Sequence, residues 1–370
     1  MKKAAFYTLG CRSNQYETEV LKKDLSKEYK IIDGFNEEAD LFVINTCTVT
    51  HDAERKSRQA IRRALREGKK VVVAGCYANL EKQQIKKMFP DVEILKVNGT
   101  ANSFAGSTPL RVRANLMLES GCENFCAYCI VPYARGKIKS KPAAEAVKEA
   151  EAMVKNGVRE IILTGINLGA YQYSLVEVLD RFSMIKELLR IRISSIEPMY
   201  ITPELIDTVA KLPKVCNYFH IPLQSGDDKI LKAMGRKYTV KEYIHIIDTI
   251  RKVIPDCGIT TDLIAGLPGE DDNSFNTTVT TINRIRFSGI HLFPYSKRKG
   301  TRAAKMDNQV GVKTIKKRME TLQKLRDMHK AEFISRFIGK EVEILVESKG
   351  EGLTGNYIRV KIKEIGSPIS

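Results

Sequence analysis

Three thiols, Cys122, Cys126 and Cys129, fall within the eight positions 122–129 of a chain that has eight cysteines in 370 residues. Thiols so closely spaced on one loop are metal ligands or redox groups. Structural zinc takes four Cys or His ligands, commonly in two pairs, and no fourth candidate stands nearby. Three thiolates suit a four-iron, four-sulfur cluster, because one iron is left open to an external molecule while the protein holds the rest. Zinc, or three incidental cysteines, is the alternative reading.

Three further cysteines sit in a pattern of their own. Strand-like apolar runs at residues 3–9, 40–45 and 70–74 lead into Thr-Leu-Gly-Cys11, Asn-Thr-Cys47 and Ala-Gly-Cys76, with helical stretches at 18–29 and 53–68 between them. This βαβ pattern predicts a parallel sheet. The carboxyl ends of parallel strands border one crevice, so residues remote in sequence meet there. A single cysteine at a strand end is ordinary as a small buried hydrophobe; three in the same place suggest a second ligand set. Cys216 and Cys257 lack any partner spacing and read as core cysteines.

The remaining elements must carry the first loop. Strand candidates at 114–118, 160–163, 191–194, 218–221, 258–264 and 289–292 alternate with helical patterns at 143–156, 175–189, 203–211 and 240–253. That series predicts an α/β partial barrel of six β/α units, with working residues on the loops after the strands. A helix over 312–337 precedes a tail, 341–363, whose alternation suggests a small antiparallel module. The chain therefore divides into an N-terminal parallel-sheet domain (1–98), a linker (99–110), the partial (β/α)6 barrel (111–337) and a short C-terminal β module (338–370). No apolar run approaches the roughly 18 residues of a membrane span, and the apolar stretch at the start is too short for a signal peptide. A cytoplasmic protein is expected, where clustered cysteines serve as ligands or catalysts rather than disulfides.

The net charge of +17 is concentrated. Residues 54–70 hold eight Lys/Arg against two Glu, and residues 297–330 hold twelve against three acidic side chains. A single such run is an ordinary solvated helix face. Two of them point to a polyanion, RNA before others.

The 122–129 loop, with Tyr128 directly before the third cysteine, resembles that of radical S-adenosylmethionine enzymes. The resemblance implies a [4Fe-4S] cluster whose open iron chelates the methionine moiety of S-adenosylmethionine, with electron transfer cleaving the sulfonium to a 5′-deoxyadenosyl radical. Residues 8–19, 45–50 and 74–78 resemble the three cysteine motifs of the methylthiotransferases, which implies that Cys11, Cys47 and Cys76 hold a second, auxiliary cluster where sulfur is supplied. Leu-Thr-Gly-Ile-Asn-Leu-Gly-Ala-Tyr (163–171), Arg-Ile-Arg-Ile-Ser-Ser-Ile-Glu-Pro (190–198), His-Ile-Pro-Leu-Gln-Ser-Gly (220–226) and Phe-Pro-Tyr-Ser-Lys-Arg-Lys-Gly-Thr-Arg-Ala-Ala (293–304) are similar to the branch acting on N6-threonylcarbamoyladenosine in tRNA. That branch implies methylthiolation of carbon 2 at position 37, tRNA bound by its anticodon stem-loop, and an electron donor and sulfur source as further partners. Isopentenyladenosine tRNA or a ribosomal protein is the alternative substrate, and a non-catalytic, metal-stabilised RNA-binding protein the alternative of another class.

Candidate S-adenosylmethionine contacts are Tyr128 and the groups where barrel strands end: Thr164, Gly165, Ser195, Glu197, Gln224 and Gly266. Each could equally serve a turn or a local hydrogen bond. His220 reads as a structural histidine. Asn79 and Ala127 depart from the family's common Gln and Thr, and the tail matches about half of the family's RNA-binding β module.

Overall fold

A computed structural model describes residues 1–96, 111–348 and 350–362. The expected linker, 99–110, and the last residues of the tail, 363–370, lie outside the described residues.

The first domain runs β1 (Lys3–Thr8), α1 (Arg12–Leu25), β2 (Lys30–Asp33), β3 (Leu41–Thr46), α2 (His51–Arg66), β4 (Lys70–Gly75), α3 (Cys76–Leu80), α4 (Lys82–Met88) and β5 (Glu93–Ile94). Its sheet has the order β2-β1-β3-β4-β5 and every pairing is parallel. All six residues of β3 are buried, as expected of a central strand with helices on both faces. The edge strands β2 and β5 were not among the expected three: β2 is only partly buried, and β5 is two residues long. The first helix starts at Arg12 rather than at residue 18, because Cys11 is its extended N-cap (φ −84°, ψ −178°). Thr50 caps α2 by accepting from Ala53 N at 3.1 Å, and Asp52 and Glu54 occupy the first turn, where the helix dipole favours negative charge.

The second domain comprises β6 (Arg113–Met117), β7 (Glu119–Ser120), α5 (Val131–Arg135), β8 (Lys139–Ser140), α6 (Ala143–Lys155), β9 (Glu160–Thr164), α7 (Leu175–Ser183), β10 (Arg190–Ile193), α8 (Pro203–Lys211), β11 (Tyr218–His220), α9 (Asp228–Ala233), α10 (Val240–Val253), β12 (Gly258–Ala265), α11 (Asp272–Ile285), β13 (Gly289–Pro294) and α12 (Val312–Ser335). Two parallel sheets, β10-β9-β6 and β11-β12-β13, are joined by bridges from Ile191 to Val215 and from Ser195 to His220 into one arc of six strands. Among the described residues no ladder closes β6 onto β13, so the barrel is partial; α1 of the first domain packs beside β6. Helix α7 ends at Ser183, short of the expected 189, because the chain tightens there through Met184 N to Arg181 O and Ile185 N to Phe182 O.

Parallel register sets which side chains face the barrel axis. Ala114, Leu116, Ile161, Leu163, Ile191 and Ile193 face the helices in one large apolar core. The opposite face carries polar groups: Arg113, Asn115, Glu160, Thr164 and Arg192 on the first three strands, His220, Thr260 and Asp262 on the next two. Glu160, fully buried, is held between Arg192 (2.7 Å) and Arg113 (2.9 Å).

The tail forms the antiparallel sheet β14 (Ile344–Ser348), β15 (Glu351–Thr354) and β16 (Arg359–Lys361). It docks at the amino ends of the barrel strands. Arg190 and Arg192 donate to Leu353 O (2.5 Å) and Gly355 O (2.8 Å), and Tyr357 stacks on Tyr218 with centroids 4.6 Å apart. Gly258, the first residue of β12, lacks a side chain where the Asn356 carbonyl presses against it. No described helix is long and apolar enough to cross a membrane.

Candidate functional site

Cys11, Cys47 and Cys76 follow β1, β3 and β4, and the adjacent strand ends bring them together. Asn14, on the first turn of α1, lies among them: its Oδ1 is 3.4 Å from Cys11 Sγ and 4.0 Å from Cys76 Sγ. A Cβ on Gly10 would stand 3.1 Å from Cys47 Cβ and 3.2 Å from Cys47 Sγ, so glycine at this left-handed position (φ +106°) lets the first cysteine loop lie against the second. Burial pushes the Cys76 thiol up to about 12 and raises Cys47 as well; Cys11 raises both further, and Cys47 adds to Cys76.

The second trio sits beyond β7. Cys122 N donates to Gly136 O at 3.1 Å and Cys129 N to Cys126 O at 3.0 Å, which folds the loop back on itself. Phe125 takes a left-handed φ of 45° inside the loop. Burial drives the Cys122 thiol to about 11 and Cys129 to about 12, with neighbouring thiols adding to both. All eight cysteines are free.

Each trio has an arginine beside it, and neither arginine was picked out by sequence spacing. Arg135 donates from Nε to Cys76 Sγ (3.1 Å), from Nη2 to Asn14 Oδ1 (3.0 Å) and from Nη1 to Glu17 Oε1 (2.6 Å). Burial opposes its charge, but Cys76 and Glu17 outweigh burial and hold it protonated. Arg236 donates to Cys126 Sγ (3.3 Å) and Tyr128 Oη (3.4 Å) and forms a tight ion pair with Glu197. Because Arg135 ends α5, the short helix directly after Cys129, the loop of the second trio is anchored onto the first. Asn79 reinforces this seam by donating to Ala134 O at 3.4 Å.

By ligand type, three thiols in each trio are a donor set suited to an iron-sulfur cluster. Among the described residues no three Cys, His, Asp or Glu side chains converge on a point that would hold a lone metal ion. Cluster thiolates instead grip separate corners of an inorganic core, so they need a shared rim rather than a shared centre. If a cluster were bound, these buried thiols would hold it as thiolates, and the adjacent guanidinium would balance their negative charge.

The other candidates spread along the same rim. Thr164 is buried at the end of β9. A Cβ on Gly165 would lie 2.8 Å from Glu119 Oε2, so the glycine makes room for a buried carboxylate that no sequence motif marks. Ser195 bridges to His220, and Gln224, in the left-handed region at φ 68°, donates from its backbone to Asp262 O at 2.8 Å. Gly266 turns away: the space a Cβ would take is filled by Ile315 of α12, a packing role. His220 is held structurally, with Nδ1 2.9 Å from Thr260 Oγ1 and Nε2 3.2 Å from Asp262 Oδ1. Cys216 and Cys257 are buried, as expected.

The two basic segments meet. His51 N donates to Ser296 Oγ (3.0 Å), and buried Arg298 pairs with Glu54 and donates to Thr48 Oγ1 (3.1 Å). Arg318 is likewise buried, 2.9 Å from Glu270. Both are internal ion pairs, so the sequence count overstates the cations free to meet phosphate. Lys297 and Lys299, flanking Arg298, are exposed.

Known proteins share both the sequence pattern and the fold. Residues 118–282 match the model described as "Radical SAM superfamily", and residues 3–96 that of "Uncharacterized protein family UPF0004". The chain is 37% identical to the "Threonylcarbamoyladenosine tRNA methylthiotransferase MtaB" of Bacillus subtilis (strain 168), over 98% of this chain and 91% of the relative. It is 34% identical to the "tRNA-2-methylthio-N(6)-dimethylallyladenosine synthase" of Endomicrobium trichonymphae, over 94% of this chain and 89% of that one. Among solved structures, the radical S-adenosylmethionine methyltransferase TsrM from Kitasatospora setae, with cobalamin and a [4Fe-4S] cluster bound, shares the fold at TM-score 0.59 and 13% identity, covering 80% of this chain and 75% of that one.

Proposed function

This chain belongs to the radical S-adenosylmethionine methylthiotransferase family, and from that premise we propose that Cys122, Cys126 and Cys129 hold one [4Fe-4S] cluster and Cys11, Cys47 and Cys76 the other. The enzyme modifies tRNA, adding a methylthio group to carbon 2 of N6-threonylcarbamoyladenosine with S-adenosylmethionine as cofactor. We read the target as position 37, the recognised part of the tRNA as the anticodon stem-loop, and the site of action as the cytoplasm. A separate electron donor and a sulfur source complete the partners.

When bound, the clusters and S-adenosylmethionine supply the electron and the sulfur chemistry. The chain's own residues bind and orient. The thiols hold the two clusters. Arg135 and Arg236 balance thiolate charge and keep the loops in place. Tyr128, Thr164, Gly165, Ser195, Glu197 and Gln224 are the proposed surroundings of S-adenosylmethionine; Gly266, packed on Ile315, is not among them. Glu197 acts there through its ion pair with Arg236, which also touches the loop at Cys126 and Tyr128.

The observation that carries this reading is the double reach of Arg135: it ends the helix that follows Cys129 and donates to Cys76 Sγ. Two ligand sets held on one seam suit a reaction in which sulfur and radical must meet one base. The test is mass spectrometry of tRNA nucleosides after reaction of the protein, reconstituted with iron and sulfide, with S-adenosylmethionine and tRNA bearing threonylcarbamoyladenosine. The expected product is its 2-methylthio derivative. A methylthio group found only on isopentenyladenosine tRNA, or only on a ribosomal protein, would overturn the substrate assignment.

A further inference from the structure

A cavity of about 740 Å³ opens between α1 and the unclosed side of the barrel. Arg12, Asn115, Ile162 and Tyr357 line it, and so do the cations Lys22 and Arg113. Lys22 is neutralised by Asp33 at 2.8 Å and Glu19 at 3.1 Å, and Arg113 by Glu160 and Glu347. Arg111 stands exposed at the outer lip. Arg12 differs from these. It is partly buried, its Nη2 donates to the phenol of Tyr357 at 3.1 Å, and no carboxylate pairs with it among the described residues. Its charge also reaches inward: burial, the neighbouring His220 and Arg12 all lower the proton affinity of His291.

Arg12 directly follows Cys11, so its backbone is joined to that of a proposed cluster ligand. The N6 substituent and carbon 2 of adenine lie on the same edge of the base, separated only by N1. A threonylcarbamoyl substituent ends in a carboxylate, whereas an isopentenyl substituent is a hydrocarbon.

Resting on the function proposed above, we propose that Arg12 is a specificity-determining residue that receives the threonyl carboxylate of the substrate nucleoside, turning carbon 2 toward the Cys11, Cys47 and Cys76 site. A guanidinium matches a carboxylate with two parallel donors, and in a partly desolvated cavity such a pair discriminates strongly against a neutral hydrocarbon.

The test uses the protein carrying both clusters, with iron content confirming that each variant is intact. Binding is measured to two anticodon stem-loops that differ only in bearing threonylcarbamoyladenosine or isopentenyladenosine. For Arg12→Gln, affinity for the threonylcarbamoyl stem-loop falls by about ten- to a hundredfold while the isopentenyl stem-loop is unaffected. Arg12→Lys falls between, since it keeps the charge and loses the fork. Tyr357→Phe, which removes only the phenol partner of Arg12, does not reproduce the selective loss on the threonylcarbamoyl stem-loop. An equal loss on both stem-loops would make Arg12 a backbone phosphate contact and overturn the proposal. So would a loss reproduced by Tyr357→Phe, which would mean Arg12 merely latches the tail, or no loss at all. Failure of the underlying substrate assignment shows separately, as a wild-type protein that methylthiolates isopentenyladenosine tRNA and leaves threonylcarbamoyladenosine untouched.

Discussion

Arg135 Nε lies 3.1 Å from Cys76 Sγ, while the same guanidinium grips Glu17 at 2.6 Å, and both arginine and glutamate are almost wholly withdrawn from solvent. The seam between the two domains is therefore built around one buried charge shared by a carboxylate and a proposed cluster ligand.

Removing that charge leaves Glu17 buried and unpaired. Arg135→Leu is expected to lower the stability of the protein by about 3–5 kcal/mol in a denaturant titration, the usual cost of breaking a buried pair from one side. Glu17→Gln together with Arg135→Leu should recover much of that loss, since no charge then stays buried alone. An Arg135→Leu protein as stable as the parent would show the seam to be held by other contacts.

Replacing Cys122, Cys126 and Cys129 with Ala is expected to abolish deoxyadenosine formation. The corresponding replacement of Cys11, Cys47 and Cys76 should spare it and stop methylthiolation. Both products are followed by mass spectrometry, and iron per chain should halve in either triple variant. Identical loss of both activities in the two variants would contradict divided roles.

The cations of the segment after β13 should separate by burial. Lys297→Ala with Lys299→Ala is expected to weaken tRNA binding and flatten its dependence on salt, by about one unit of slope for each phosphate no longer held. Arg298→Ala removes the partner of Glu54 and should lower stability by about 3–5 kcal/mol. Fluorescence anisotropy over a salt series and thermal melting distinguish the two.

Glu119 is fully buried, with Oε1 lacking any hydrogen-bond partner and Oε2 accepting from Asn167 N at 2.7 Å. Burial pushes its carboxyl up to about 7, against an ordinary 4.5. The folded protein therefore binds this proton more tightly than the unfolded chain does. Stability contributed by the neutral carboxyl is present below pH about 4.5 and is lost as pH rises through about 7, a total on the order of 3 kcal/mol. In iron-free protein, Glu119→Gln should be the more stable form at pH 8 and should lack this decline. Parallel pH dependences of the two proteins would show that the carboxyl ionises without cost.

Much of this molecule was legible in its sequence because it is written in local pattern. Each buried strand of the first domain runs into a cysteine, and parallel strands end on one edge, so Cys11, Cys47 and Cys76 had to be neighbours once the sheet formed. The spacing of Cys122, Cys126 and Cys129 keeps them on one loop however the rest folds, and apolar periodicity located all six barrel strands. What the pattern did not reveal has a common cause. Strand β2 is only partly buried and β5 is two residues long, so neither leaves a periodic trace. Arg135, Arg236 and Arg12 find partners through the docking of elements far apart along the chain: Glu17 lies more than a hundred residues before Arg135, and Tyr357 is at the opposite end of the chain from Arg12. Burial of Arg298 and Arg318 is decided the same way, by which acid happens to face each one across a packed interface. Covalent spacing and hydrophobic period set what sits beside what within an element. Only tertiary packing, which matches charges across surfaces with no sequence relation to each other, decides which cations hold the two thiol sets together and which stay free for a ligand.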